Sequence, residues 1–512
     1  MNIKEAKQQI QNAVRAYLTK DAFGDYCISA EKQRPILLIG APGIGKTAVM
    51  EQVAREMGIN LVAYSMTHHT RQSAVGLPFI EHRTYDGTEY TVSEYTMSEI
   101  IASVYETAEK SGIREGLLFL DEINCVSETL APAMLQFLQY KVFGRHRIPD
   151  GWVVVAAGNP PEYNNSVREF DVATLDRLKK VIVEPDYTVW KEYAYQSGVH
   201  GAVLSYLDIK KDHFYAVQST VEGKSFVTAR GWEDLSQMMT LYERLGIPVD
   251  EALTAQYIQH PDIARDFAVY YELYKKYKQE YGVETILKGK AEEALARTAG
   301  EARFDEKLSL IGMLVDAVSG DIRRCLRTED VVTAVYGVLK TVKPALTETP
   351  ERYAEVFEQC IAEQRQAVET ARRANTLLRE KKQVAGAVVD ALEDLRDAVA
   401  RAGCGTDCFG VVRAGFEERA RGLKTQSETV RGRLDALFAF AEQAYGEGQE
   451  MLILVTNLTL SPDAARFIAT YGCERYYAHN KEALLFERQN DILLKMQKLR
   501  EEFHTPENEE TL

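Results

Sequence analysis

The feature that most constrains this chain is a glycine-rich loop between an apolar run and a helix-forming segment. The loop reads G-x-x-x-x-G-K-T and consists of Gly40, Ala41, Pro42, Gly43, Ile44, Gly45, Lys46 and Thr47. Residues 36–39 before it have the composition of a buried parallel strand, and residues 48–56 after it favour a helix. Glycines let several backbone N–H groups face one point, and the helix N-terminus adds partial positive charge. The sequence therefore predicts a phosphate-binding loop for a nucleoside triphosphate.

Two side chains of this loop have the chemistry that a bound triphosphate requires. Lys46 can reach the β- and γ-phosphates, and the Thr47 hydroxyl can ligate Mg²⁺. We expect the nucleotide to contact the whole loop from Gly40 to Thr47 and also Ala48. Because the loop contacts phosphates and not the base, it does not distinguish ATP from GTP.

Polar side chains follow two later apolar runs. Residues 116–120 lead into Asp121 and Glu122, and residues 152–158 lead into Asn159. Carboxyl ends of parallel strands form the ligand-binding edge of an open α/β sheet. We expect Asp121 to hold Mg²⁺ through its water shell and Glu122 to orient and deprotonate the attacking water. Asn159 is predicted to hydrogen-bond that water or the γ-phosphate, although an Asn-Pro dipeptide is equally typical of a turn.

Two predicted hairpins interrupt the alternation of strands and helices. The Asp86-Gly87 dipeptide predicts a turn in a hairpin that begins near Gly76. Gly144 predicts a second, tighter hairpin within residues 142–148, and this one carries the basic run 145–147.

Composition excludes several classes of protein. Hydrophobic residues make up 46% and charged residues 27%, which is typical of a globular chain. No apolar run approaches the roughly 18 residues of a membrane span, and the N-terminus lacks the apolar stretch of a signal peptide. Seven scattered cysteines are typical of reduced thiols, so we expect a cytoplasmic protein. The net charge of −15 makes nucleic acid an unlikely partner, because coating it requires clustered basic residues.

Taken together, the motifs resemble those of the AAA+ ATPases over roughly residues 30–240. The loop corresponds to Walker A, residues 117–124 (LLFLDEIN) to Walker B, and Asn159 to sensor 1. The two hairpins are similar to those of the MoxR branch. The resemblance implies an α/β P-loop core, a parallel sheet between helices, with ATP and Mg²⁺ as cofactors.

The resemblance also implies roles for arginines and for partners. Arg177 would be the arginine finger that reaches the nucleotide of a neighbouring subunit, with Arg168 as the alternative, and Arg230 would be sensor 2. A finger acting between subunits implies a ring, most often a hexamer. MoxR-like ATPases commonly act with a separate von Willebrand A-type protein on a protein client.

The rest of the chain is predicted to be mainly helical. We expect an AAA+ core in residues 1–185, a helical lid and extension in 186–345, a long helical hairpin in 346–448 and a small β-α-β-α unit in 449–512. Residues 301–342 are expected to form short helices that end at a boundary marked by Pro344 and Pro350. Residues 451–455 and 475–478 are expected to be strands. The helical hairpin is open to two interpretations: the core of a bundle, or an arm that contacts a partner.

Three functions are compatible with these observations. The first is an ATP-driven remodeller of proteins, the second a nucleic-acid-dependent motor or loader, and the third a nucleotide-gated switch or scaffold. The basic residues Arg145, His146 and Arg147 are the local support for the second.

Overall fold

The structure is a computed structural model that describes residues 1–163, 167, 170–220, 223–373, 379–403 and 407–480. These residues divide into two compact units. The first comprises residues 1–190, 214–232 and 359–386, and the second comprises the other described residues. No helix in the described ranges is long and apolar enough to cross a membrane.

Helices and strands alternate through most of the first unit. Up to residue 183 the elements are α1 (Ile3–Tyr17), β1 (Ile36–Gly40), α2 (Lys46–Met57), β2 (Asn60–Ser65), α3 (Arg71–Val75), β3 (Pro78–Tyr85), β4 (Thr88–Tyr95), α4 (Glu99–Ser111), β5 (Gly116–Asp121), α5 (Ala131–Tyr140), β6 (Val142–Phe143), β7 (His146–Arg147), β8 (Trp152–Gly158), α6 (Val172–Leu175) and β9 (Lys179–Val183).

Five of these strands form one parallel sheet in the order β2-β5-β8-β1-β9. Successive strand residues point to opposite faces, so each strand contributes to two cores. Leu37, Leu118 and Val154 pack with the buried faces of α4 and α5. Leu38 and Phe119 pack with α1 and α2 on the other face. The predicted α/β core, a parallel sheet between helices, is confirmed.

Both predicted hairpins are present. β3 and β4 pair antiparallel around Asp86 and Gly87, whose positive φ angles of 49° and 78° are those of a tight two-residue hairpin turn. β6 and β7 pair around Gly144, which also has a positive φ. Since parallel strands run in one direction, the turns that follow β1, β5 and β8 all lie at the carboxyl edge of the sheet.

The later part of the chain is mostly helical. Its elements are α7 (Tyr187–Ser197), α8 (Gly201–Ile209), β10 (Ala216–Thr220), β11 (Gly223–Val227), α9 (Ala229–Leu245), α10 (Glu251–Tyr257), α11 (Pro261–Glu280), α12 (Val283–Leu287), α13 (Glu293–Glu301), α14 (Phe304–Glu348), α15 (Tyr353–Arg373), α16 (Arg379–Ala402), α17 (Cys408–Tyr445), α18 (Gln449–Leu460) and α19 (Pro462–Tyr471). The segment 186–345, expected to be a helical lid and extension, also contains the antiparallel pair β10–β11.

The longest helix contradicts the expected boundary at Pro344. α14 is a single helix of 45 residues that continues through this proline to Glu348. Proline removes one backbone donor, but packing outweighs that loss here: Val342 and Leu346, on either side of Pro344, are both buried. The prediction of short helices in 301–342 is therefore wrong.

α17 pairs antiparallel with α14. The Tyr336 and Phe416 rings lie 5.9 Å apart, and further along the helices Arg433 Nε lies 2.7 Å from Asp321 Oδ2. Residues 430–441 of α17 bury Val430, Leu434, Leu437, Phe438, Phe440 and Ala441. The bundle-core interpretation therefore describes this helix better than a free arm.

The predicted strands of the C-terminal segment are wrong. Residues 451–455 lie in α18, which buries Met451, Leu454, Val455 and Leu458 at helical spacing. Residues 475–478 are helical as well. Residues 481–512, the end of the proposed β-α-β-α unit, lie outside the described residues.

One expectation about the cysteines is also wrong. Cys408, at the start of α17, is disulfide-bonded, so the thiols are not all reduced. Cys27, Cys125, Cys325, Cys360 and Cys473 are not disulfide-bonded.

Candidate functional site

The glycine-rich loop connects the carboxyl end of β1 to the first turn of α2, as the sequence predicts. Gly43 and Gly45 have φ angles of 76° and 92°, in the left-handed region that side-chain-bearing residues rarely adopt. Gly45 is the N-cap of α2, and Lys46 is its first residue. The loop therefore ends at a helix N-terminus, which is the geometry that binds anions.

Lys46 is only 8% exposed and its ammonium group has three acceptors. Nζ donates to Gly40 O (2.8 Å), to Ala41 O (2.9 Å) and to Asn159 Oδ1 (2.8 Å). Burial lowers the pKa of Lys46 to about 8, an effect that the negative charge of Asp121 partly offsets. A buried cation held by neutral carbonyl oxygens lacks a full counter-charge, so an anion such as a phosphate would be stabilised beside it.

Thr47 and Asp121 lie side by side at the start of α2 and the end of β5. The Thr47 hydroxyl donates to Asp121 Oδ2 at 3.1 Å. A hydroxyl and a carboxylate oxygen in contact at a phosphate-binding loop are the hard oxygen ligands that Mg²⁺ prefers. The pair therefore fits a magnesium ion, for which Thr47 would be a direct ligand and Asp121 a ligand through water.

Glu122 has a strained backbone and points toward β2. Its φ and ψ angles are 56° and 35°, a left-handed conformation that costs a non-glycine residue about 1–2 kcal/mol. Its Oε2 accepts hydrogen bonds from Ser65 Oγ (2.8 Å) and Thr67 Oγ1 (2.9 Å). Ser65 pairs with Asp121 in the sheet register, so its side chain lies next to these acids.

Asn159 joins the loop to the strand beside it. β8 pairs with β1, and Ile39 lies opposite Gly158, so Asn159 follows at the level of the loop. Its side-chain oxygen accepts from Lys46, and its backbone oxygen accepts from Asn124 Nδ2 at 2.8 Å. The structure thus brings Asn159 next to Lys46, as expected for a residue that would sense the γ-phosphate.

A segment that follows the sheet in sequence contacts the tip of the loop. The Tyr215 hydroxyl donates to Pro42 O at 3.1 Å, and the Arg230 backbone N–H donates to Gly43 O at 3.3 Å. Arg230 itself is exposed, and its charge contributes to the lowered pKa of Lys46. Arg230 therefore lies near the loop, which is compatible with the expected sensor 2 role.

Arg177 is exposed, and its described side-chain partner, Gln139, lies on α5. Its Nη1 donates to Gln139 Oε1 at 2.8 Å. No contact joins it to the loop of its own chain among those described, and a finger that acts on a neighbouring subunit would need none. Arg168, the alternative finger, lies outside the described residues.

Three side chains at this edge escaped the sequence analysis: Ser65, Thr67 and Asn124. Ser65 and Thr67 could have been found from the sheet order, because β2 is the neighbour of β5 and hydroxyl groups at its end must face the acids. Asn124 stands in the LLFLDEIN motif, but its contact with the end of β8 depends on a turn that sequence spacing does not reveal.

Comparison with known proteins gives one result. No curated protein matches the chain at a significant level. Residues 36–183, from the start of β1 to the end of β9, match a protein-family model. That family is the ATPase family associated with various cellular activities (AAA), and the match supports an AAA+ ATPase domain in this part of the chain.

Proposed function

We propose that this chain hydrolyses ATP with Mg²⁺ as a ring-forming, MoxR-like AAA+ ATPase that remodels partner proteins or assists their maturation. The observation that carries the proposal is the convergence of Lys46, Thr47, Asp121 and Asn159 at one edge of the sheet. These side chains come from the loop, β5 and the end of β8, and sequence spacing alone did not require them to touch.

Each residue has a distinct part in the proposed reaction. The backbone N–H groups of the loop and Lys46 would bind the β- and γ-phosphates, and Thr47 and Asp121 would hold a Mg²⁺ ion that supplies positive charge beside them. Glu122 takes a proton from the attacking water once its carboxylate leaves the hydroxyls of Ser65 and Thr67. Asn159 orients that water or the γ-phosphate.

The Glu122→Gln variant tests hydrolysis. It keeps the shape of the side chain but removes the base, so phosphate release should fall by about 10²- to 10⁴-fold while ATP still binds. Glu106→Gln is a matched control, because Glu106 is an exposed acid on α4 that pairs with Lys110. Equal loss in both variants, or full activity in Glu122→Gln, would show that the site is misassigned.

A ring is proposed because Arg177 is exposed and none of its described contacts is with the loop of its own chain. A guanidinium supplied by a neighbouring subunit contributes about 10³- to 10⁵-fold to hydrolysis in other NTPases. Arg177→Ala alone and Lys46→Ala alone should each be inactive. Mixed rings should regain activity, because a Lys46→Ala subunit can supply its arginine to the intact loop of an Arg177→Ala neighbour. Mixtures that remain inactive would argue against action between subunits.

The hairpin β3–β4 supports a protein client. Ile80, Tyr85 and Tyr90 are 71%, 50% and 51% exposed, so this hairpin offers apolar and aromatic surface. Residues 78–95 contain four acids and one arginine, a balance that disfavours a phosphate backbone. Exposed aromatic side chains are common anchors in protein interfaces.

A separate von Willebrand A-type protein is the partner we propose, in line with the MoxR-like position of the two hairpins. The Glu122→Gln variant should hold ATP-bound rings on their partner, so a pull-down with it in the presence of ATP should enrich such a protein. Replacement of Ile80 and Tyr90 by serine should reduce that enrichment if the hairpin is the contact surface.

The nucleic-acid alternative loses its local support. Arg145 Nη1 lies 2.6 Å from Glu94 Oε2, and Arg147 Nη2 donates to Glu31 Oε1 at 2.5 Å. His146 Nε2 lies 3.1 Å from Tyr95 O. The three basic residues of the second hairpin thus have partners within the protein. DNA-stimulated hydrolysis that weakens steeply with salt would restore this alternative.

The switch alternative has one specific observation in its favour. Glu122 is held by two hydroxyls, which describes a resting carboxylate more than one aimed at a water. A switch predicts a single-turnover rate no faster than that of Glu122→Gln, whereas an active ATPase predicts a rate at least about 10²-fold faster.

A further inference from the structure

We infer that Asn124 is a positioning residue that fixes the peptide of Asn159 and thereby aims the Asn159 side chain at Lys46. The inference rests on the proposed function, since it concerns the same site. Asn124 follows the two acids of the LLFLDEIN motif by two residues and lies in the short helical turn Ile123–Cys125.

The contact is direct, and Asn124 itself is buried. Asn124 is 5% exposed, and its Nδ2 donates to Asn159 O at 2.8 Å. Because a planar peptide has few degrees of freedom, fixing the carbonyl of Asn159 limits the directions in which its side chain can point. That side chain accepts from Lys46 Nζ at 2.8 Å, so Asn124 acts on the lysine through Asn159.

The end of β8 is shaped to admit this side chain. A Cβ on Gly158 would lie 2.5 Å from Asn124 Oδ1 and 2.7 Å from Asn124 Cγ. Both distances are too short for non-bonded atoms, so Asn124 would have to move. Glycine is therefore required at position 158 by the close approach of Asn124 and not by its backbone conformation, because its φ angle is not positive. The absence of a side chain at the end of β8 therefore allows the turn after β5 to pack against this strand.

The amide chemistry of Asn124 is specific. Nδ2 is the donor to the carbonyl, and Oδ1 lies 3.9 Å from the Cys125 thiol as its acceptor. An aspartate would face the Asn159 carbonyl with a second acceptor, and an alanine would leave that carbonyl without its donor. The turn that carries the acids is thus tied to the strand that carries Asn159, so the two halves of the site keep a constant spacing.

The expected consequence is kinetic. Loss of Asn124 leaves the loop N–H groups and Lys46 in place, so binding of ATP should change little. Misaiming Asn159 should lower kcat by up to about tenfold, because small misplacements near reacting atoms slow a reaction and the loss cannot exceed that of removing the Asn159 side chain. A residue that only fills space would instead lower stability and leave kcat intact.

Three variants separate these roles: Gly158→Ala, Asn124→Ala, and the two combined. Gly158→Ala should lower Tm through the clash and kcat through displacement of Asn124. The double variant removes the clash, so Tm should return toward that of Asn124→Ala while kcat stays low. Asn12→Ala, an exposed asparagine on α1, is the matched control. Wild-type kcat in the double variant would overturn the inference.

A structural readout keeps the inference testable without hydrolysis. In a ligand-free crystal structure of Asn124→Ala, the distance from Asn159 Oδ1 to Lys46 Nζ should exceed hydrogen-bond range. An unchanged distance of 2.8 Å would overturn the inference whether or not the protein hydrolyses ATP. Failure of the proposed function would appear separately: the wild-type protein would hydrolyse no ATP, or its hydrolysis would survive Lys46→Ala.

Discussion

Two buried lysines lie at opposite edges of the five-stranded sheet and differ in what surrounds their ammonium groups. Lys46 is at the carboxyl edge, where Gly40 O, Ala41 O and Asn159 Oδ1 accept from it. Lys141 is 4% exposed and donates to Gln33 Oε1 at 3.1 Å. Gln33 lies three residues before β1 begins, at the amino edge of the sheet. Burial lowers the pKa of each to about 8.

The difference lies in what could replace the present partners. Two of the three acceptors of Lys46, Gly40 O and Ala41 O, belong to a glycine-rich loop with helix N–H groups beside it, so a phosphate can take their place. Gln33 is itself buried and also donates to Tyr17 O and Ile28 O, so Lys141 is part of a fixed polar network. Similar burial and a similarly lowered pKa thus accompany two different roles, and only the surroundings distinguish a candidate ligand-binding lysine from a structural one.

The largest effect should appear in hydrolysis. Lys46→Met should lower phosphate release by about 10²- to 10³-fold, the loss seen when a preorganised donor is removed from a developing charge. Lys141→Met should stay within a few-fold of wild type, because its ammonium faces no candidate ligand. Steady-state phosphate release at saturating Mg-ATP measures both. Similar losses of phosphate release in the two variants would contradict the claim that only Lys46 acts on the nucleotide.

A smaller effect should appear in stability as pH changes. The pKa of Lys141 is about 8 in the folded protein and 10.5 in the unfolded chain. At a pH between these two values, the folded protein therefore binds fewer protons at Lys141 than the unfolded chain does. Stability then rises with pH above about 8, by up to about 3 kcal/mol for the full shift. Lys141→Met should flatten this rise between pH 8 and 9.5, and comparison with wild type cancels the contribution of the tyrosines. Urea unfolding at several pH values measures it; an unchanged slope would contradict the assigned pKa.

The smallest effects should come from the neutral acceptors. Asn159→Ala should lower kcat by roughly tenfold and leave stability nearly unchanged, because Lys46 keeps two carbonyl partners. Gln33→Ala should leave kcat unchanged and cost about 1–3 kcal/mol of unfolding free energy, since it leaves a buried ammonium group without its acceptor. Kinetics and chemical denaturation of both variants test whether Asn159→Ala changes only kcat and Gln33→Ala changes only stability. Both effects in one variant would show that the two edges are coupled.

The sequence predicted those parts of the molecule whose physics is local. The loop, the strand before it, the helix after it and the two hairpin turns depend on neighbours in sequence, and all are present. Lys46 and Asp121 could be placed at the same edge because parallel strands share a direction.

Longer-range features were not predictable in the same way. The run Met451–Val455 is apolar enough for a strand, and only the burial of Leu458 with Met451, Leu454 and Val455 reveals a helical stripe. Pro344 looked like a boundary because propensity favours a break, whereas tertiary packing maintains α14 through it. The hydroxyls on Glu122 and the contact of Asn124 with β8 required the sheet order and a turn geometry that spacing does not encode.

A crystal structure with Mg²⁺ and a non-hydrolysable ATP analogue tests the central claim most directly. The account predicts that Lys46 Nζ leaves the carbonyls of Gly40 and Ala41 for the β- and γ-phosphates, that Mg²⁺ binds the Thr47 hydroxyl, and that Asp121 contacts its water shell. A nucleotide bound elsewhere, with Lys46 still on those carbonyls and Thr47 still on Asp121, would contradict it.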